Sequence, residues 1–379
     1  MTTEEYLRQL VAIDSTRGNE GAVADFLEPH LRRLGFEVVA YPLKVKRRNL
    51  LASRGTNPRV CAYGHMDTVP VYNGWETDPF TLSGHDGKLY GLGASDMKGG
   101  IAALLAAVER LPLTAPLKLL FCYDEEYDSD GAWAVATNCL GWFDGVTHVL
   151  SVESGVESMN ASQPSICLGR RGRARFVVDI AGFSAHGSNT SNGINAIDIA
   201  SQLVLLFNVA PMATHAELGT GTQYVALIEA SNSGLSIPDR CQLEVERHFV
   251  PPETLRSVLN GYQTICDNFL NSMVLTEEQR KLVRVTVRAK PRANPCMEPF
   301  VTPPSDAFVR RAVQQMDGIL GSHKIAYGLS VADDNIFATI CKKSVIVIGP
   351  RGGNEHSPNE WVYVESLGAY TEFYKALLG

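Results

Sequence analysis

Four apolar, strand-like runs in this chain each end at, or shortly before, a residue able to bind a metal ion. Arg59-Val60-Cys61-Ala62-Tyr63-Gly64 leads into His65, and Leu117-Lys118-Leu119-Leu120-Phe121-Cys122-Tyr123 leads into Asp124-Glu125-Glu126. His148-Val149-Leu150-Ser151-Val152 delivers Glu153, and Val345-Ile346-Val347-Ile348 is followed shortly by His356. Open α/β sheets place their chemistry in the crevice at the carboxyl ends of their strands. One such coincidence carries little weight. Four, all supplying His or carboxylate, predict a single metal site gathered from distant sequence.

The elements between these runs support that architecture. Residues 3–35 carry helical periodicity broken at Asp14-Ser15-Thr16-Arg17-Gly18, and strands are expected near 35–39 and 48–53. Asp96-Met97-Lys98-Gly99-Gly100 opens an Ala- and Leu-rich helix that Pro112 stops. Strands alternating with helices at these lengths predict a largely parallel α/β sheet. Past Leu168-Gly169 the pattern changes to strand, helix, two strands, helix, strand. That order predicts a small sheet with helices on one face. The expected division is 1–168 for the first part of a catalytic domain, 169–290 for an inserted module and 291–379 for the second part. Residues 290–295 read as the linker back.

A chain of 379 residues exceeds the size at which single cores stop growing, so two domains are expected. The formal net charge of -7 argues against nucleic-acid or anionic-membrane partners. The basic cluster Lys44-Val45-Lys46-Arg47-Arg48 reads as a solvated loop or edge strand. Residues 1–5 lack the features of a secretory leader, and no stretch approaches the ~20 apolar residues that span a bilayer. The eight cysteines are scattered without a CxxC pair, so neither a thiolate site nor a disulfide framework is expected, and a reducing cytoplasm fits.

Hydrolysing an amide at neutral pH requires a better nucleophile than water and stabilisation of an anionic intermediate. Two zinc ions about 3.5–4 Å apart meet both needs, and imidazole and carboxylate are suitable ligands. Asp96, at the mouth of a loop and the start of a helix, suits a bridging role because a shared carboxylate needs two free oxygens. There is no Gly-x-Ser-x-Gly elbow for a serine hydrolase.

His65-Met66-Asp67-Thr68-Val69-Pro70, Gly91-Leu92-Gly93-Ala94-Ser95-Asp96-Met97-Lys98-Gly99, Asp124-Glu125-Glu126 and Glu355-His356-Ser357-Pro358-Asn359-Glu360 occur in a telling order and spacing. In these motifs the chain resembles the zinc aminoacylase/carboxypeptidase family, which includes acetylornithine deacetylase and succinyl-diaminopimelate desuccinylase. The resemblance covers nearly the whole chain and implies a mostly parallel zinc-hydrolase catalytic domain carrying an inserted, ferredoxin-like α+β lid or dimerisation domain. It implies that Asp96 bridges two zinc ions, with His65 and Glu153 completing one site and Glu126 and His356 the other. Cobalt or manganese are alternatives. Glu125 would be the general base, and Asp67 would accept the second N–H of His65 and fix its tautomer. Asp124 reads as structural.

Gly182-Phe183-Ser184-Ala185-His186-Gly187-Ser188 matches a family loop whose His stabilises the oxyanion in a partner subunit, which implies a homodimer through the inserted domain; an ordinary hairpin turn is the other reading. Arg170 matches an Arg that helps hold a substrate carboxylate, for which a guanidinium fork is suited; a solvated edge-strand charge is the alternative. The chain departs from the family in three places. His248 stands where relatives carry a substrate-reading Arg, Ala332-Asp333 lacks the usual Thr, and Glu153-Ser154-Gly155 replaces the common Glu-Pro. Arg247 could compensate only by a one-residue strand slip, which would turn it to the other sheet face. The expected substrate is an N-acyl amino acid or a short peptide.

Overall fold

The apolar runs form the parallel centre of a nine-stranded sheet in the computed structural model, which describes residues 1–44, 47–154, 163–231, 234–291, 294 and 296–379. Val45 and Lys46 of the basic cluster, Gly155, and Arg292, Ala293 and Pro295 of the expected linker lie outside the described residues. Two compact units emerge: Met1–Arg170 with Phe300–Gly328 and Ala332–Gly379, and Arg171–Pro299 with Leu329–Val331. The sequence-based limits, 168/169 and 290/291, precede both junctions. The strand Ser165–Arg170 stays paired to the first unit through Arg170, which faces Phe300, so the chain leaves that sheet only after Arg170.

In the first unit, Leu117–Cys122, Val60–His65, His148–Ser151 and Ser344–Val347 run parallel side by side. Glu37–Lys44 and Arg47–Arg54 join one flank antiparallel. Ser165–Arg170, Phe300–Val301 and Lys324–Gly328 complete the other. All six residues of Leu117–Cys122 are buried, as expected of a strand covered on both faces. The helix Lys98–Val108 is also buried along its whole length, and Thr3–Val11 and Val364–Leu378 pack against it. Thr2 and Glu5 form a capping box that starts the first of those helices.

A small antiparallel sheet of Ser83–His85, Lys88–Tyr90, Trp361–Tyr363 and Gly352–Gly353 has no counterpart in the sequence reading. Its hairpin turns through Asp86 and Gly87, both at positive φ, the Asp-Gly pair favoured in tight turns. Strands of two or three residues leave no period to detect.

The second unit has the spatial strand order Thr222–Ala230, Arg240–Phe249, Gly172–Ala181, Arg284–Ala289, all antiparallel. With the helices Ala196–Asn208 and Leu255–Ser272 between them, this is a ferredoxin-like arrangement. Phe176, Val178, Leu243 and Val245 meet Ile199, Leu203, Val258 and Tyr262 in its core. Among the described residues, no helix is long and apolar enough to cross a membrane.

Candidate metal centre

Parallel register brings the strand ends to one level. Tyr63 pairs with Ser151, so His65 and Glu153, each two residues further, emerge together. His65 pairs with Cys122, which places Glu125 and Glu126 just beyond the neighbouring strand. The helix carrying Asp96 at its entrance lies close against this edge. A Cβ on Gly100 would fall 1.6 Å from the carbonyl oxygen of Val152, so only glycine allows that approach.

His65 Nε2 lies 2.9 Å from Asp96 Oδ1, and His356 Nε2 lies 3.3 Å from Asp96 Oδ2 and 2.8 Å from Glu126 Oε2. Ligand atoms of His65, Asp96 and Glu126 all fall within 4.8 Å of one another. Glu153 stands outside this triad, its Oε2 3.1 Å from Arg170 Nη2. His356 sits at φ 57°, a strained backbone for a non-glycine residue, and its side chain remains 55% exposed.

The site is crowded with acids. Burial pushes Glu126 up to about 7, with Asp96 adding to the rise. Burial lifts Glu153 to about 8 against the pull of Arg170. Burial holds Glu125 well above the usual carboxylate range against the pull of His65, with Glu126, Asp333 and Glu153 adding to the rise. Burial opposes charge on Asp96, but the two imidazoles hold its carboxyl well below the ordinary value. Hydrogen bonds to Asp96 and Glu126 raise His356 to about 11. Oxygen and imidazole donors gathered this way form the set that zinc accepts, and a divalent cation would relieve their mutual repulsion.

Asp67 does a different job from the one its position suggests. The main-chain carbonyl of Asp67, 3.1 Å from His65 Nδ1, leaves Nε2 turned to Asp96; the carboxylate is 3.7 Å away. That carboxylate accepts the backbone N–H groups of Glu125 and Glu126 at 3.1 and 3.0 Å. Asp124 is buried and paired with Arg47 and Arg17, as its structural reading requires.

Two further acids escaped the sequence reading. Buried Glu360 accepts backbone N–H groups from Gly93, Ser95 and Asp96, each at 2.8 Å, and so fixes the loop that presents Asp96. Glu355 accepts the Ser95 hydroxyl at 2.6 Å and that of Ser154 at 3.4 Å. Both flank His356, and a carboxylate four residues past a ligand was the one available signal.

Arg170 is buried, its guanidinium between Glu153 and Asp334. This arrangement fits neither a solvated charge nor a free substrate contact. His186 and His248 belong to the second unit. The exposed His186 accepts the Ser188 backbone N–H at Nδ1, 3.2 Å, which leaves Nε2 as the protonated nitrogen. His248 is cross-strand from Arg173. Burial and that guanidinium lower its pKa. Arg247 faces the helices instead, bonded to Glu253 and to Gln223 at 2.8 Å, so it does not replace the missing Arg.

A model of peptidase family M20/M25/M40 matches residues 61–379. The chain is 26% identical to succinyl-diaminopimelate desuccinylase of Sulfurovum sp. (strain NBC37-1), over 99% of this chain and 98% of that protein. It is 29% identical to acetylornithine deacetylase of Klebsiella pneumoniae (strain 342), over 94% of this chain and 92% of the relative. Among solved structures, aminopeptidase PepT from Bacillus cereus superposes with a TM-score of 0.78 at 19% identity, covering 99% of this chain and 97% of that one. That last likeness concerns the fold.

Proposed function

This chain belongs to peptidase family M20/M25/M40 and is a hydrolase of amide bonds, and from that premise we propose that it is a dinuclear zinc amidohydrolase acting on N-acyl amino acids, in the manner of acetylornithine deacetylase and succinyl-diaminopimelate desuccinylase. The observation that carries this reading is the convergence of His65 and Glu126, from the ends of adjacent parallel strands, with Asp96, from the loop that enters the helix Lys98–Val108. In it, His65, Asp96 and Glu153 would hold one ion, and Asp96, Glu126 and His356 would hold the other. Two zinc ions there would lower the pKa of water and stabilise developing negative charge. Cobalt or manganese could occupy the same donors.

Glu125 takes a proton from water as its oxygen attacks the amide carbon. It then returns that proton to the nitrogen as the C–N bond breaks. Its burial among other acids suits it to holding the proton between the two steps. His186, with Nε2–H exposed, is the donor to the oxyanion, acting in a partner subunit; His248 is assigned to substrate binding. Amino-acid metabolism in the cytoplasm is the setting this reading implies.

The test is release of free amine by zinc- or cobalt-loaded protein across N-acetyl and N-succinyl amino acids and dipeptides. Metal-dependent turnover of the acylated amino acids is expected. Activity confined to dipeptides would favour a dipeptidase or carboxypeptidase, and no turnover with two metals bound would favour a silent binding protein.

The homodimer rests on the second unit. Its edge strand Thr222–Ala230 is paired on one side only among the described residues, and it exposes Tyr224 and Ile228 by 54% and 55%. Open edges of this kind template pairing with another chain. Sedimentation should give a dimer for the native protein and a monomer for Ile228→Asp. A native monomer at micromolar concentration would dismiss the assembly.

A further inference from the structure

Arg170 closes the strand Ser165–Arg170, and its main chain is held on both sides, by Phe300 and by Gly328. Its side chain is 4% exposed. Nε donates to Asp334 Oδ2 at 2.8 Å and Nη2 donates to Glu153 Oε2 at 3.1 Å. A guanidinium is planar, so fixing Nε–H on Asp334 fixes the direction of the N–H bonds at Nη2. Asp334 is fully buried in the first turn of the helix Asp333–Thr339, whose start Asn335 caps by accepting the Ala332 N–H at 3.1 Å. Its neighbour Asp333 accepts the Tyr63 hydroxyl at 2.6 Å.

The geometry points to Arg170, anchored by Asp334, as a positioning residue that sets the carboxylate of Glu153 at the metal centre, not as a reader of substrate carboxylates. The inference rests on the reading of Glu153 as a metal ligand. A substrate reader needs an accessible fork, whereas two nitrogens of this one already face acids inside the protein. Groups that orient a ligand from behind, when altered, change metal affinity by about 10- to 100-fold.

Zinc titration against a competing chelator on Arg170→Lys, Asp334→Asn and Glu153→Gln separates the alternatives. Hydrolysis of paired substrates, one with its α-carboxylate free and one with it amidated, completes the test. Melting of the apoproteins by circular dichroism checks folding; if Arg170→Lys does not fold, Asp334→Asn carries the test. The expected result is a 10- to 100-fold weaker affinity for one of two zinc equivalents in both outer variants. Their effects should not add in the double variant, and kcat should fall equally for both substrates. Native zinc affinity in Arg170→Lys and Asp334→Asn, with KM raised for the free carboxylate alone, would overturn the inference. Failure of the premise has its own signature: Glu153→Gln would keep both zinc equivalents at native affinity.

Discussion

Glu125→Gln is expected to lower kcat by about 10²- to 10⁴-fold, the range a positioned general base supplies, while metal content and melting temperature stay native. The substitution is isosteric and leaves the main chain alone, so the Glu125 N–H remains on Asp67 at 3.1 Å. Glu126, whose N–H is held by the same carboxylate, keeps its contact with His356 at 2.8 Å. Two consecutive glutamates thus share one clamp yet differ in surroundings. Glu126 joins the imidazoles, whereas Glu125 lies where Asp333 and Glu153 add to the effect of burial on its proton affinity. An amide cannot accept the proton from water, so only the chemical step should suffer. Metal analysis together with single-turnover kinetics checks this. Loss of a zinc equivalent would make Glu125 a ligand, and turnover within about threefold of native would remove it as the base.

The strand-end acids and His65 were legible because central parallel strands are buried on both faces and read as unbroken apolar runs. Such a run announces where it stops, and register then aligns the stops. Period-two alternation in 240–249 was equally informative: it separates Arg247, turned to the helices, from His248, and the strand keeps unbroken register against Gly172–Ala181. What a sequence pattern does not carry is which polar atom of a residue makes a contact. Asp67 follows His65 by two positions, and its carboxylate was expected on that imidazole. The loop path brings the main-chain carbonyl there and sends the carboxylate across to Glu125 and Glu126. Arg170 presents the same difficulty. A motif identifies a cation near the site, but its partners Glu153 and Asp334 come from segments 17 and 164 positions away. Those pairings depend on packing, which no local pattern records.

Asp96 should be the least replaceable residue of the centre. Its two carboxylate oxygens face different histidines, Oδ1 toward His65 and Oδ2 toward His356. Glu360 fixes its backbone N–H, so the side chain has one direction of approach. Asp96→Asn keeps shape and volume but replaces one oxygen with an NH₂ group. Whichever way the amide turns, one carboxylate oxygen is replaced, and under the two-ion reading proposed above one ion would lose its shared anionic ligand. Zinc titration is therefore expected to give one tight equivalent per chain in place of two. Loss of one ion removes several kcal/mol of transition-state stabilisation, which corresponds to a fall in kcat of about 10³-fold. Urea unfolding of the apoprotein at neutral pH should show a loss of stability as well, since the amide gives up the ion pairs with His65 and His356. Two tight equivalents in Asp96→Asn would mean that the ions are held separately and that Asp96 bridges nothing.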